Sequence, residues 1–438
     1  MTMMTATLIA APQAPTRISP TRLIAACAIG NALEFYDFVI YSFFAATIGR
    51  LFFPSQDPAV QILLSFATYG VGFFLRPIGG AVIGAHADRH GRKQATLLTI
   101  LLMALGTAMI GLAPSYQQIG VFGPLIVVFG RLVQGFSAGG EVGASTTLLA
   151  EYAPPGRRGF FGSWQLASQG LAVLIAAIMA SAVTRTLSPA SLESWGWRLP
   201  FLLGILIVPI GWWLRGALHE THANASDARL QRVNALSQLF GRYLRQLVTG
   251  VMLVIGGTAA NAVVVLYMST YAVRQLGLSP ASGLFAGVTA GLLTLVMAPV
   301  GGALSDRYGR KRIGWIFSAM LVVLIYPSFV ILGAHPTLPT LLVVVTCLSA
   351  VFAAGSGATI ILLAEIFPAQ VRASGLSMVY ALGVAIFGGF GQFIVTWLIQ
   401  ATGSPLAPAY YVIACSLASM VALATLRETA GTHLAGAA

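Results

Sequence analysis

Charge is what this chain has least of. Only 8% of its 438 residues are Asp, Glu, Lys or Arg, where a soluble domain carries roughly a quarter. With 57% hydrophobic residues and a mean hydropathy of +0.84, the chain reads as a polytopic membrane protein. Acids are scarcer than bases, 12 against 24 Lys and Arg. In a soluble chain the resulting net charge of +12 would suggest nucleic acid. Here the bases fall between apolar runs, so they speak of membrane orientation, and nucleic acid is not an expected partner. Cys27, Cys347 and Cys415 lie in separate apolar runs, too few and too scattered for a disulfide framework or a metal site. No phosphate-cradling glycine loop is present, so neither nucleotide-driven nor enzymatic chemistry is expected. Residues 1–20 carry a weak apolar patch with no positive charge before it, and read as a tail and not a cleaved signal.

What the chain has in abundance is apolar runs of about 20 residues, enough to cross ~30 Å of hydrocarbon. They fall near 22–49, 60–84, 95–113, 121–149, 160–184 and 199–216, then 246–272, 281–304, 313–333, 338–364, 375–401 and 407–426. The expected fold is therefore an all-α membrane protein of twelve transmembrane helices in two six-helix halves. The long hydrophilic interval divides it: an N-terminal tail 1–21, a first half 22–216, a central loop 217–245, a second half 246–427 and a C-terminal tail 428–438. With the N-terminus inside, 18 of the 24 bases become cytoplasmic. Arg50, Arg185, Arg198 and Arg274 fall outside, and Arg76 and Arg131 lie within helices. Both termini and the tails are expected in the cytoplasm.

The halves repeat. GAHADRHGRK at 84–93 returns as GALSDRYGRK at 302–311, and LLAEYAPPGRRG at 148–159 as LLAEIFPAQVRASG at 362–375. Asp88 and Asp306 close a helix end where an acid can meet arginines and the positive end of a neighbouring helix.

Two further stretches carry chemistry. RLVQGFSAGGEVGASTTLLAE, from Arg131 to Glu151, lies in the fourth apolar run. An arginine mid-helix costs from ~3 to above 10 kcal/mol, and chains tolerate it mainly against a wet cavity and an anion. Gly135, Gly139 and Gly143 follow at four-residue steps, a stripe that lets a neighbouring helix approach. In the first run, GNALEFYDFVIY sets Asn31, Glu34 and Asp37 at three-residue steps, which predicts one shared face. Asp37 lies ~22 Å from its helix start and Arg131 ~15 Å from the opposite side, so both belong to the central slab. Two readings follow: a static pair that merely neutralises two charges, or an acid that alternates between a proton and Arg131. Glu34 and Glu141 are the other carboxylates within helices. By internal repetition the counterparts of Arg131 and Asp37 fall near Cys347 and Val254, both uncharged, which assigns proton chemistry to the first half.

The doubled GxxxDRxGRK element resembles the signature of the major facilitator superfamily, and the parallel six-helix repeat is its architecture. The combination of FYDF, LRPIGG, GRLVQGFSAGGE, SWQLASQ, WGWRLPF and RGALHET is similar to the metabolite–proton symporter branch. Within it the chain most resembles bacterial citrate–proton and tricarballylate symporters. It departs from their pattern at LEFYDF, for LEQFDF, and at GGEVG, for GVELG.

The resemblance implies proton-coupled uptake of a small carboxylate by alternating access, with no cofactor beyond the proton gradient, by a monomer in a bacterial inner membrane. It assigns gating to Asp88, Arg89, Arg92, Glu151 and Arg158, and to their counterparts Asp306, Arg307, Arg310, Glu365 and Arg372. Proton coupling is expected at Asp37, Glu34 or Glu141. Arg131 suits bidentate carboxylate recognition, with Asn31, Tyr36 and Gln134 near it. Gln165, Ser168 and Gln169 share a face of the fifth run, either as ligands or as interhelical hydrogen bonds. Asn261, Tyr267, Tyr271, Ser356, Thr359 and Gln392 are second-half candidates. The alternatives are a symporter of a dicarboxylate or keto acid, a shikimate-like acid or a zwitterionic osmolyte. A drug–proton antiporter is more distant, because the fifth run lacks the Gly-Pro element of that class.

Overall fold

The computed structural model describes residues 20–205 and 238–430, apart from 91, 141–144, 147, 151, 155, 369 and 370. The expected central loop falls almost wholly outside these residues, as do most of both tails. Among the described residues every regular element is helical.

In the first half the longer ones are α1 (Pro20–Phe43), α2 (Ala45–Phe52), α3 (Pro58–Phe74), α4 (Arg76–His90), α5 (Arg92–Leu112), α6 (Phe122–Ser137), α7 (Arg158–Thr186) and α8 (Arg198–Ile205). The second half has α9 (Leu244–Ala260), α10 (Met268–Arg274), α11 (Pro280–Tyr308), α12 (Arg310–Ala334), α13 (Leu338–Glu365), α14 (Arg372–Gly383), α15 (Gly391–Thr402) and α16 (Ala407–Thr425). Wide π turns at Asn261–Tyr267 and Val384–Gly389 join α9 to α10 and α14 to α15.

Among the described residues eight helices are long and apolar enough to cross a membrane, and a ninth counts if α1 and α2, bent by 62°, are one span. The shorter apolar helices Leu97–Leu112 and Phe122–Ser137 occupy the third and fourth expected runs. The sixth run enters as α8 and leaves the described residues at Ile205. Several spans open on the same local device: Asp57, Ser279 and Thr337 each accept a backbone N–H of the first turn, with proline at one of the first two helical positions. The side chain satisfies a donor that has no intrahelical partner, and proline supplies none.

The fourth run is not one regular helix. After Ser137 it tightens to a 3-10 turn at Ala138–Gly140, where the glycine stripe presses against α3 and α4. A Cβ on Gly72 would stand 2.7 Å from the Arg131 carbonyl oxygen, and one on Gly135 2.5 Å from the Gly72 carbonyl carbon. At Gly135 and Gly139 the stripe read in the sequence is thus a seam where backbones touch; Gly143 lies outside the described residues.

The halves meet along α7 and α11, where a Cβ on Gly170 would lie 2.5 Å from the Leu295 amide nitrogen and one on Gly291 2.5 Å from that of Leu174. A second seam sets Phe74 of α3 against Phe390, ring centroids 5.2 Å apart. Bulky residues such as Leu112, Phe122, Val323 and Val343 face outward, the surface that lipid would cover.

At the end of the bundle carrying the two GRK turns (the basic end), the Asp306 carboxylate of α11 accepts from the Gly159 and Phe160 amides at 2.8 and 2.9 Å. An acid of the second half thereby caps α7 of the first. At the opposite end Arg274 donates to the Pro58 carbonyl at 3.4 Å, and Arg185 lies 4.7 Å over the Phe285 ring.

Candidate functional site

Among the described residues four charged side chains are buried within the spans of the first half: Glu34, Asp37, Arg76 and Arg131. Arg131 is fully buried, and its guanidinium lies 4.6 Å from the Phe38 and Tyr41 ring centroids and 4.8 Å from that of Tyr69. Arg76 lies 4.2 Å over Phe73 and 4.7 Å over Phe38, so Phe38 serves both cations. Each such contact is worth ~0.5–2 kcal/mol, which does not by itself offset the higher estimates of the burial cost. The remaining donors matter. Arg131 Nη1 donates to Gln134 Oε1 at 2.9 Å and Nη2 reaches the Tyr69 carbonyl at 3.4 Å, but Nε has no partner among the described residues. Arg76 Nε and Nη2 are likewise unpartnered.

Asp37 is 2% exposed. Its Oδ2 accepts from Thr107 of α5 at 2.5 Å, and its Oδ1 has no hydrogen-bond partner among the described residues. A Cβ on Gly204 of α8 would stand 2.6 Å from Oδ1, so the missing side chain there is what makes room for the acid. Thr107 in turn accepts from Gln134 Nε2 at 2.9 Å. The expected direct exchange between Asp37 and Arg131 is therefore not the geometry found. Two neutral side chains stand between them, giving the order Arg131–Gln134–Thr107–Asp37.

The shared face expected of Asn31, Glu34 and Asp37 is also corrected. At 100° per residue a three-residue step drifts by ~60°, so the first and last of the three point ~120° apart. Asn31 turns to α7: it donates to the Gln165 carbonyl at 3.1 Å and to Ser168 at 2.7 Å, and accepts from Gln165 Nε2 at 2.8 Å. Gln165 Oε1 accepts from Ser145 at 3.0 Å. These three candidates lock α1 to α7, the interhelical alternative weighed above. Gln169 lies buried one residue beyond Ser168. Tyr36 donates to the Pro200 carbonyl at 3.0 Å. Glu34 is buried, and its field reaches Arg76.

Across the seam, Gln392 of α15 donates to Ser42 of α1 at 2.7 Å, and the tilted rings of Tyr267 and Phe66 have centroids 5.9 Å apart. Tyr271 donates to the Pro405 carbonyl at 3.0 Å, and Asn261 opens a π turn. Ser356 and Thr359 do not reach the interface. They line a cavity of ≈ 30 Å³ inside the second half, with α9, α12 and α16.

Of the expected gating set, Arg310 lies 3.4 Å from Asp306 and forms an ion pair with Glu365, while Arg372 donates to the Ala364 carbonyl at 3.0 Å. Arg158 opens α7 within electrostatic reach of Arg310. Arg307 is not in this cluster: it stacks 5.2 Å over Tyr308. Glu141 and Glu151, and the side chains of Asp88, Arg89 and Arg92, lie outside what is described.

Residues 27–322 match the Major Facilitator Superfamily. The chain belongs to that superfamily. Residues 217–437 also match the Sugar (and other) transporter family. This transporter chain is 38% identical over 408 residues to the citrate–proton symporter of Klebsiella pneumoniae, covering 92% of this chain and 91% of that protein. It is 31% identical over 433 residues to the proline/betaine transporter of Escherichia coli strain K12, covering 95% and 85%. A crystal structure of a D-xylose–proton symporter shares the fold, with a TM-score of 0.76, 20% identity and coverage of 94% and 99%.

The sequence left several members of the superfamily chain's site unread. Thr107 is one of three threonines in the run 95–113, and Gly204 one of three glycines in 199–216. Phe38, Tyr41 and Tyr69 resemble any aromatics of a span. The one available signal for Thr107 is that it is polar at a position beside Gly106, where a Cβ would stand 2.6 Å from Gln134 Cγ.

Proposed function

We propose that this protein is a secondary active transporter that takes up a small carboxylate together with protons by alternating access, with a tricarboxylate such as citrate or tricarballylate as its substrate. The observation that carries the reading is the pair of buried guanidiniums, Arg131 and Arg76, with N–H groups that no acceptor among the described residues satisfies. An anion with one to three carboxylates supplies those acceptors, and arginine's planar fork suits it. Similarity to the citrate–proton symporter supports the substrate class.

In this reading the chain crosses the bacterial inner membrane twelve times, with both termini and the basic end in the cytoplasm, and works as a monomer. The halves are 22–216 and 246–427, joined by the loop 217–245. Asp37 carries the proton, Arg131 binds the substrate, and the contact of Asp306 with α7 latches the cytoplasmic side. The proton gradient is the only energy source, with no metal or nucleotide.

A zwitterionic osmolyte is the second reading, favoured by similarity to the proline/betaine transporter. Uptake into proteoliposomes under an imposed pH gradient separates the two. Labelled citrate should accumulate, with tricarballylate competing and glucose not. Accumulation of betaine with no carboxylate competing would select the second reading.

A further inference from the structure

We infer that the Thr107 hydroxyl is a two-position hydrogen-bond switch, a positioning residue through which Asp37 gains and loses a proton without leaving any of its neighbours unpaired. The inference rests on the reading of Asp37 as the proton site.

A hydroxyl has one hydrogen and two acceptor lone pairs. Three polar atoms surround that of Thr107: Asp37 Oδ2 at 2.5 Å, Gln134 Nε2 at 2.9 Å and the Met103 carbonyl oxygen at 2.9 Å. Two of these have fixed roles. Arg131 has no acceptor to offer, so the Gln134 amide must turn its oxygen to the guanidinium and its N–H₂ to Thr107. Gln134 therefore always donates to Thr107. The Met103 carbonyl can only accept. Asp37 alone changes character, being acceptor only when ionised and a donor when protonated.

Both states then keep Oδ2 and its neighbours paired. With Asp37 ionised, Thr107 accepts from Gln134 and donates to Oδ2. With Asp37 protonated on Oδ2, that O–H donates into the second lone pair of Thr107, and the Thr107 hydrogen swings to the Met103 carbonyl. Only a hydroxyl hydrogen changes place; no heavy atom has to move and Arg131 can stay among its three rings. The proton comes from the aqueous phase and returns to it, and Thr107 exchanges none of its own. An unpaired polar group buried at this depth would cost more than an ordinary hydrogen bond contributes, which is why a residue able to serve both states is needed here. A valine would serve neither.

The other charged and titratable groups around this nest are Glu34, Tyr36 and Tyr41 on α1 itself, Tyr69 from α3, Arg76 from α4 and Arg131 from α6. Among the described residues, α5, α7 and α8 present Thr107, the Gln165–Ser168 lock and Gly204, none of them ionisable.

The test reads protonation directly and needs no substrate. Infrared titration of the purified protein in lipid gives the protonated-carboxyl band that disappears in Asp37→Asn. Thr107→Val removes the hydrogen bond of both forms, and the one to the charged carboxylate is the stronger, so the midpoint of that band should move to higher pH by about one unit. Thr107→Ser keeps the hydroxyl and should titrate as the native protein does. A Thr107→Val midpoint equal to the native one, or a Thr107→Ser midpoint shifted as far as that of Thr107→Val, overturns the switch. If Thr107→Val is not recovered folded, Thr107→Ala carries the same expectation. A titration with no band lost in Asp37→Asn overturns the proton site itself, whereas the substrate reading stands or fails separately on citrate uptake.

Discussion

The two halves place their buried charge differently. In the first, Glu34, Asp37, Arg76 and Arg131 sit within spans, held by aromatic rings and a chain of neutral side chains. In the second, the buried cations among the described residues are Arg310 and Arg372, both at the first residue of a helix at the basic end. Its mid-span polarity among the described residues is uncharged: Ser419 of α16 accepts from the Gly256 amide of α9 and donates to the Met252 carbonyl, both at 2.7 Å. A charge at a helix end has backbone groups and water nearby, whereas one at mid-span needs partners built for it. In the proposed reading this asymmetry separates chemistry from latching: the first half would bind and titrate, and the second would hold the basic end closed through Asp306.

The sharpest break of that comparison is Arg131→Ala. It leaves a bound carboxylate without its cation, a loss on the order of 2–5 kcal/mol, so both substrate exchange and gradient-driven accumulation in proteoliposomes should fail. Native exchange by this variant would remove the binding role from the first half.

A smaller effect is expected from Asp306→Asn. The amide keeps one acceptor for α7 but loses the charge that two backbone N–H groups share, worth ~0.5–2 kcal/mol at a helix start. Transport should slow at equal protein level while insertion and folding stay intact. Native rates would leave Asp306 as a cap with no part in gating.

The smallest effect lies at the chain's end. Residues 428–430 were expected as tail, yet Glu428 accepts from the Arg310 and Lys311 amides at 2.9 and 3.1 Å, capping α12, and Thr429 donates to Glu365. Burial works against the Glu428 carboxylate, but the amides of Ala430, Arg310, Lys311 and Thr429 outweigh it and hold it below the usual carboxylate range. A depressed folded value means a contribution fully present at neutral pH and lost as pH falls through that value. Thermal melts of the native protein and Glu428→Gln should therefore differ slightly at neutral pH and converge in acid. A gap that widens in acid would contradict the cap.

How much of this was legible in the sequence follows from the kind of signal each feature leaves. Arg131 and Asp37 stood out because a charge in an apolar run is rare, and the depth arithmetic placed both in the central slab. The Gly135–Gly139 stripe is periodic, and it does meet α3 and α4. The relay was not legible, because a single threonine has no period and its partners depend on how α1, α5 and α6 are set against one another. The Asn31–Gln165–Ser168 lock needed the same information to be told from a ligand site. Glu428 looked like a solvated terminal acid, since nothing local marks the turn at Gly309 that it caps.

The central claim is that the proton binds Asp37 in the first half, and one measurement addresses it most directly: exchange and accumulation compared in Asp37→Asn. Asparagine keeps nearly the same shape but cannot titrate. Exchange of labelled citrate between the two sides should survive, since it needs the loaded carrier to reorient and no proton to dissociate, while accumulation driven by an imposed pH gradient should vanish. Accumulation at the native level would contradict the account and move the proton to Glu34 or Glu141.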